Sequence, residues 1–432
     1  MVKMILITSL LFFVNLSEAA QKESWDLQRC INYALENNLQ VKRLKLDRSG
    51  SDLSYKAAKA AQYPSLNGSV GYSLSPDIND DTLKRESQDM SYSASARWTV
   101  FKGTAIRTDI QMKQLEIEKS DESIKSQQIN LIKNVTNAFL QVFYAREALQ
   151  SSIIARDASV VQRDRIKELL SVGSATRIDL ARMEASLATD EYNVVTATNS
   201  LKQKQRALNS LLELSADTLI DLRFPDLSDS ISLEPIPDIE QIYSAALENM
   251  PGVASSKLSR DIAVLGIKKA MAGYFPSLSI SAGLSTKNDF KYSFADQVTD
   301  KVNFNFGASL SIPIYDNRQN KTNVEKARIS VRQAELALME ERKTLQEEVQ
   351  DAFYNAEASR SRLKAAQVQY QKALQSYEIA QEQFKLGMIN STDLLIEKNA
   401  WLVSLREQLE SKINALMTMQ MINIYMGIPV QI

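Results

Sequence analysis

The chain is written twice, and that duplication limits what it can fold into more than any other feature. Ala34-Leu35-Glu36-Asn37-Asn38 returns as Ala246-Leu247-Glu248-Asn249-Met250, 212 residues on. Tyr63-Pro64-Ser65-Leu66 returns as Phe275-Pro276-Ser277-Leu278 at the same offset of 212. Val172-Gly173 followed by Asp179-Leu180 matches Leu386-Gly387 followed by Asp393-Leu394 at an offset of 214, and Asn209 matches Asn423 at that offset too. The offset changes between Ser75 and Val100, where a loop absorbs the two extra residues. Each half therefore has to build the same unit.

Both halves follow one plan. A helical stretch, about Asp26 to Gln62 and then about Asp238 to Tyr274, stops at Pro64 or Pro276, which starts an extended segment. Two strands separated by a polar loop come next, in hairpins spanning 65–101 and 277–314. A very long helix follows, about Thr104 to Val172 and about Gln319 to Leu386. Gly173 or Gly387 breaks it, and a return helix covers about Thr176 to Leu214 or Ser391 to Met426. Residues 20–214 thus form the first repeat and 238–432 the second. Residues 215–237, with Pro225, Pro235 and Pro237, link them at the equator. A helix of about 69 residues is roughly 100 Å long. The two shorter helices of each half, about 37 and 39 residues, would stack end to end beside it. The expected repeat is a rod with strands at one end and a helix turn at the other.

The strands alternate with period two over about ten residues. In the first, Leu66, Val70, Tyr72 and Leu74 face opposite to Ser65, Asn67, Ser69, Ser73 and Ser75. In the second, Tyr92, Ala94, Ala96, Trp98 and Val100 alternate with Ser91, Ser93, Ser95, Arg97 and Thr99. The later pair repeats the pattern, with Leu278, Ile280, Leu284, Phe304, Phe306 and Leu310 against serine, asparagine and glycine. That is the pattern of a transmembrane β-barrel. A soluble sheet covered on one face would also alternate, but the remaining segments are committed to rods and leave no layer to cover it. Loops Pro76–Met90 and Lys287–Lys301 are polar, as an outer mouth requires. Four strands cannot close, and an open edge in hydrocarbon leaves backbone groups unpaired. The chain must therefore oligomerise. Eight strands from two chains would fill the interior with side chains, whereas about twelve from three leave a channel. The small polar lumen residues favour three.

Composition agrees with long helices and excludes several chemistries. Only 12 Gly and 9 Pro occur in 432 residues, few enough for uninterrupted helix. Basic and acidic residues balance, 51 against 52, so no general preference for nucleic acid is visible. There is no histidine, the commonest general base and metal ligand. With one cysteine, no Gly-rich phosphate loop and no carboxylate pair in a cleft-forming context, neither an enzyme nor a cofactor or metal site is expected. Lys3, the apolar run Ile5–Val14 and Ser17-Glu18-Ala19 form a secretory signal, residues 1–19, cleaved after Ala19 or Ala20. No later run has the roughly 18 apolar residues of a transmembrane helix. Cys30 follows the cleavage site by about ten residues in a helical pattern, and is expected to be an unmodified helix residue.

The return helices carry sevenfold series, Leu180, Leu187, Val194, Leu201 and Leu208, then Leu395, Leu402, Leu409 and Leu416. Heptad spacing predicts a left-handed coiled-coil seam. Its second position is poor in the first repeat, where Asp190 and Lys204 fall. In the turns, Gly173 and Gly387 permit a left-handed helix cap. Asp179 and Asp393 fall in the first turn of the next helix, where a carboxylate meets the positive dipole end. A capping role would account for both acids, and a functional one is equally open.

The duplicated plan, the Pro-initiated strand pairs and the Gly-to-Asp-Leu turns resemble the TolC family of outer-membrane efflux and secretion proteins, over the whole mature chain. The resemblance implies a mainly helical fold with a transmembrane β part. It implies a homotrimer with a 12-stranded barrel in outer-membrane lipid, four strands per chain, and a long periplasmic helical barrel, in a Gram-negative bacterium. The tip would dock a periplasmic adaptor that links the duct to an inner-membrane pump. Positions matching the adaptor contact are Val172, Gly173, Ser174, Arg177, Leu386, Gly387 and Met388, and Asp179 and Asp393 match the acids that narrow the entrance. Phe384 and Ile389 stand where family members use a Tyr and an Arg to close the second turn. Arg177 is an alternative partner for Asp393 or Asp179. The competing class is a non-channel structural coiled coil of the periplasm or cell surface.

Overall fold

The structure, a computed structural model, describes residues 24–76, 86–215, 217–218, 220–224, 235–288 and 302–430. The signal segment 1–19, the cores of the two polar loops (77–85 and 289–301) and Pro225 lie outside the described residues. The chain divides into two compact units. One is made of Arg43–Ile124 and Pro251–Lys343 and holds the sheet; the other is helical and takes the rest of the described chain.

In the helical unit, α1 (Leu27–Asn37) starts at Asp26, whose side chain accepts a hydrogen bond from the Arg29 N–H. Its buried stripe, Leu27, Cys30, Ile31 and Ala34, packs against Leu131, Val135 and Phe139 of α3 (Ala105–Ser171) and Leu208 of α4 (Arg177–Leu211). Cys30 is wholly enclosed, and burial pushes its thiol up to about 12. The described part of the inter-repeat segment packs on this core: Trp25 and Leu222 form a parallel bridge, and the Phe224 ring lies tilted against Phe139 and Phe143.

The expected continuous helix from Asp26 to Gln62 is two helices, α1 and α2 (Leu39–Ala60). Asn38 is extended, and its Oδ1 accepts from the N–H groups of Gln40 and Val41, so the side chain caps a new helix. The second stretch breaks at Met250, between α5 (Ile239–Asn249) and α6 (Pro251–Met271). There the cause is Pro251, which disfavours helical backbone in the residue before it and suits the first helical position. A short 3-10 turn, Ala272–Tyr274, then leads to Pro276.

The other long helix, α7 (Gln319–Lys385), has 67 residues, like α3. The last helix is α8 (Ser391–Tyr425). The leucine series of the return helices is only partly the buried seam. In α4, Leu187 and Leu208 are buried. In α8, Leu395, Leu402, Leu409 and Leu416 are half-buried, while Leu394, Lys398 and Trp401 lie inside. The buried side of α8 thus runs one position ahead of the leucine series and includes a lysine.

The sheet unit contains β1 (Ser65–Pro76), β2 (Glu86–Lys102), β3 (Ser277–Asn288) and β4 (Asn303–Ser311), antiparallel and in sequence order. β2 starts five residues before its expected first residue, Ser91, because Glu86–Met90 pair with Tyr72–Pro76. The register aligns the two sets of side chains across all four strands. Leu66 lies opposite Ala96, Ala96 opposite Ala282 and Ala282 opposite Phe306. Asn67, Ser95, Gly283 and Asn305 form the corresponding polar row. A bulge at Val100 brings Phe101 opposite Leu278 and Lys102 opposite Ser277. Leu66, Val70, Phe304, Phe306 and Leu310 are each more than 60% exposed, an apolar face with nothing over it among the described residues. Among the described residues β1 and β4 are unpaired edges. Among the described residues, no helix is long and apolar enough to cross a membrane.

Candidate functional site

The two helix turns have one backbone geometry. Gly173 (φ +77°) and Gly387 (φ +73°) take the left-handed conformation. Ser174 N–H donates to Leu169 and Gly173 N–H to Leu170; Met388 donates to Gln383 and Gly387 to Phe384. These are paired bonds of the Schellman type, closing the last carbonyls of α3 and α7. A Cβ at either glycine would meet nothing within 4 Å, so backbone conformation alone demands glycine. Around them the turns present apolar side chains to solvent: Val172 is 70% exposed, Leu386 74% and Met388 68%. Ser174 and Arg177 are exposed as well.

The turns lie side by side in the helical unit and are bonded to each other. Thr176 caps α4 in a reciprocal box: its hydroxyl accepts from the Asp179 N–H, and Asp179 Oδ2 accepts from the Thr176 N–H at 3.1 Å. Asp179 Oδ1 accepts from the Ser391 hydroxyl at 2.6 Å, across to the second turn. The Ser391 bond, then those from Thr176, hold the Asp179 carboxyl below the usual carboxylate range. Asn390 caps α8 alone, its Oδ1 accepting from the N–H groups of Thr392 and Asp393. The Asp393 carboxylate is exposed and has no side-chain partner among the described residues.

Among the described residues Arg177 pairs with neither acid. The arginine that crosses to the second turn is Arg182, five residues further on, which donates to the Thr392 hydroxyl at 2.5 Å. The side chain at 177 is at the exposed start of α4, whereas Arg182 lies on the side facing α8. Phe384 and Ile389 are half-buried and pack on a cluster made by Tyr377, Ala380, Leu394 and Trp401. Apolar packing thus occupies the place of a polar network in the second turn. Tyr377 and Trp401 stack at 5.1 Å and 9°, and Gln162 of α3 donates to the Tyr377 hydroxyl at 2.9 Å.

Behind the turns lies a buried polar triad that links three helices. Lys398 of α8, 1% exposed, donates to Asp190 Oδ2 of α4 at 2.6 Å and also to the Ser159 hydroxyl of α3. Ser159 donates to the same carboxylate oxygen at 2.7 Å. Burying the pair is costly unless each charge is matched and hydrogen-bonded, as both are here. Asp190 already stood out as a charge on the coiled-coil seam; Lys398 had no such mark, because the leucine series ran beside it. Among the described residues no cluster of three or more metal-ligating side chains occurs.

In the unit that holds the sheet, Pro64 and Pro276 stand immediately before β1 and β3. Phe275, ahead of Pro276, is extended at φ −90° and ψ 153°, the restriction proline imposes on its predecessor. Trp98 Nε1 donates to the Gln62 carbonyl at 2.7 Å, tying β2 to the end of α2.

The family model described as outer membrane efflux protein matches residues 30–213 and 242–419, one segment in each repeat. The chain is 21% identical over 368 residues to the outer membrane efflux protein BepC of Brucella suis, covering 85% of this chain and 77% of BepC. It is 23% identical over 397 residues to the outer membrane protein TolC of Escherichia coli K12, covering 90% and 78%. A crystal structure of CusC superposes with a TM-score of 0.80 at 19% identity, covering 93% of this chain and 92% of the other.

Proposed function

Because the chain belongs to the outer membrane efflux protein family, we propose that three copies form a passive exit duct whose tip docks a periplasmic adaptor, itself coupled to an inner-membrane pump. The chain is an outer-membrane efflux protein of the channel fold, and its family consists of ducts rather than enzymes. The observation that carries the trimer is the four-stranded sheet with an apolar face, a serine- and asparagine-rich face and two unpaired edges. Hydrocarbon accepts such a sheet only when the edges meet those of further copies. Three copies give about twelve strands, enough for an aqueous lumen.

Val172, Gly173, Ser174, Arg177, Leu386, Gly387 and Met388 form the surface offered to the adaptor. Exposed Val172, Leu386 and Met388 are apolar anchors held on rigid capped turns, the arrangement that suits a protein partner. Asp393 is the carboxylate available to the entrance, and Asp179 fixes the turn beside it.

Purified protein in detergent should sediment as a trimer and form ion-conducting pores in planar bilayers. An adaptor should co-purify with wild type and be lost on Leu386→Ser with Met388→Ser. A monodisperse water-soluble monomer, or a trimer without conductance, would sink the duct and favour a structural coiled coil.

A further inference from the structure

The polar face of the sheet carries two fixed cations and, among residues whose side chains are described, no acid. Arg97 on β2 lies between Ser65 of β1 and Ser281 of β3, with Gly307 next in the row. Its side chain is exposed and makes no ion pair among the described residues. Lys102, also exposed, joins the same face because the bulge at Val100 shifts the register and sets it opposite Ser277. Without that extra residue Lys102 would stand on the apolar face. In the backbone register Asp89 pairs with Ser73 and Lys287 with Ser91. Asp89 is about 26 Å along the strand from Arg97. Acids at the helix–strand junctions are engaged: Lys269 holds Asp109 at 2.5 Å, and Asp316 accepts from the Asn320 N–H at 2.8 Å.

We propose that Arg97 and Lys102 form a basic collar inside the barrel that selects anionic solutes, an inference that rests on the trimeric duct proposed above. The dimensions decide whether two such charges per chain matter. About twelve strands ~4.8 Å apart and tilted roughly 40° have a circumference of about 75 Å and a backbone diameter of about 24 Å. An extended arginine reaches ~6 Å inward, which leaves its charge about 6 Å from the axis. That is inside the Debye length of about 8 Å at physiological salt, and outside the ~3 Å at 1 M. Three arginines, with three lysines about 13 Å further along the strands, therefore fill the bore with positive potential at low salt. Serine, asparagine and glycine neighbours leave it uncompensated and leave room for hydrated solute.

Reversal potentials of single pores under a KCl gradient test the collar, using only trimers that migrate as wild type. Near 0.1 M salt, Arg97→Glu with Lys102→Glu should lower the chloride-to-potassium permeability ratio about twofold or more, and the change should vanish near 1 M. Arg97→Lys should keep the wild-type ratio. Pores of normal conductance whose ratio is unmoved by the double reversal at low salt would overturn the collar and leave the duct standing. Wild-type trimers that form no pore would overturn the duct, and the collar with it.

Discussion

The carboxylate that follows the first tip glycine is bound on both oxygens, whereas its counterpart in the second turn has no side-chain partner among the described residues. Asp179 closes a capping box with Thr176 and reaches across to Ser391. Asp393 stands at the same place in its helix, but Asn390 already satisfies the local N–H groups, and its carboxylate points to solvent. The same division occurs at the other end of the return helices. Glu213, with φ 57°, accepts from the Leu39 N–H and helps cap α2. At the matching place in the second repeat stands Gly427, and Pro251 removes the N–H that would need a cap. Duplication fixed the backbone; the polar groups then diverged, the first repeat making bonds that the second accepts or no longer needs.

The sharpest break of that comparison is the triad joining the repeats. Asp190 corresponds to Ser404 and Lys398 to Glu184 at the 214-residue offset, so neither repeat alone could build the pair. Lys398→Met leaves the Asp190 carboxylate buried without its cation. It should destabilise the helical unit by about 3–5 kcal/mol, whereas Lys398→Met with Asp190→Leu should recover most of that loss. Denaturation followed by the fluorescence of Trp401, one turn from Lys398, reports both. Equal losses in the single and double variants would mean that the pair contributes packing alone.

A smaller effect should be equal in the two repeats. Gly173→Ala and Gly387→Ala each force a Cβ into left-handed backbone with no clash nearby, costing about 1–2 kcal/mol apiece. Unequal costs, measured by the same denaturation, would show that one turn relaxes and the other is held by its cross-bonds.

Those glycines were legible in the sequence because positive φ leaves a residue-type mark, as did the prolines before β1 and β3 and the strand alternation. The register confirms the alternation row by row. What the sequence could not show follows from contacts distant in the chain. Asn38 is the exception, breaking a helix with its own side chain at a place that no Gly or Pro marks. Lys398 is buried only because Asp190 and Ser159, 208 and 239 residues away, come to meet it. Arg177 and Arg182 are five positions apart, and only packing decides which faces the second turn. Phe384 and Ile389 offer no polar links, and only the fold brings together the apolar cluster they pack on.

The smallest effect separates the two acids. Asp179→Ala removes a cap and should cost about 1 kcal/mol, while Asp393→Ala should stay within about 0.5 kcal/mol. The pH dependence follows from the sign of the shift. Hydrogen bonds from Ser391 and Thr176 depress the Asp179 carboxyl in the fold below its ordinary 3.8. The contribution is thus complete above that value and disappears as pH falls through the lower folded one. Wild type and Asp179→Ala should converge in stability in that acid window, and Asp393→Ala should track wild type throughout. Conductance should rank them the other way. Asp393→Ala removes an exposed charge at the entrance and should weaken block by divalent cations, while Asp179→Asn, which keeps an oxygen acceptor, should alter it little. If Asp393→Ala changes neither conductance nor block, its carboxylate serves only the helix dipole, and the two turns differ in bonding without differing in function.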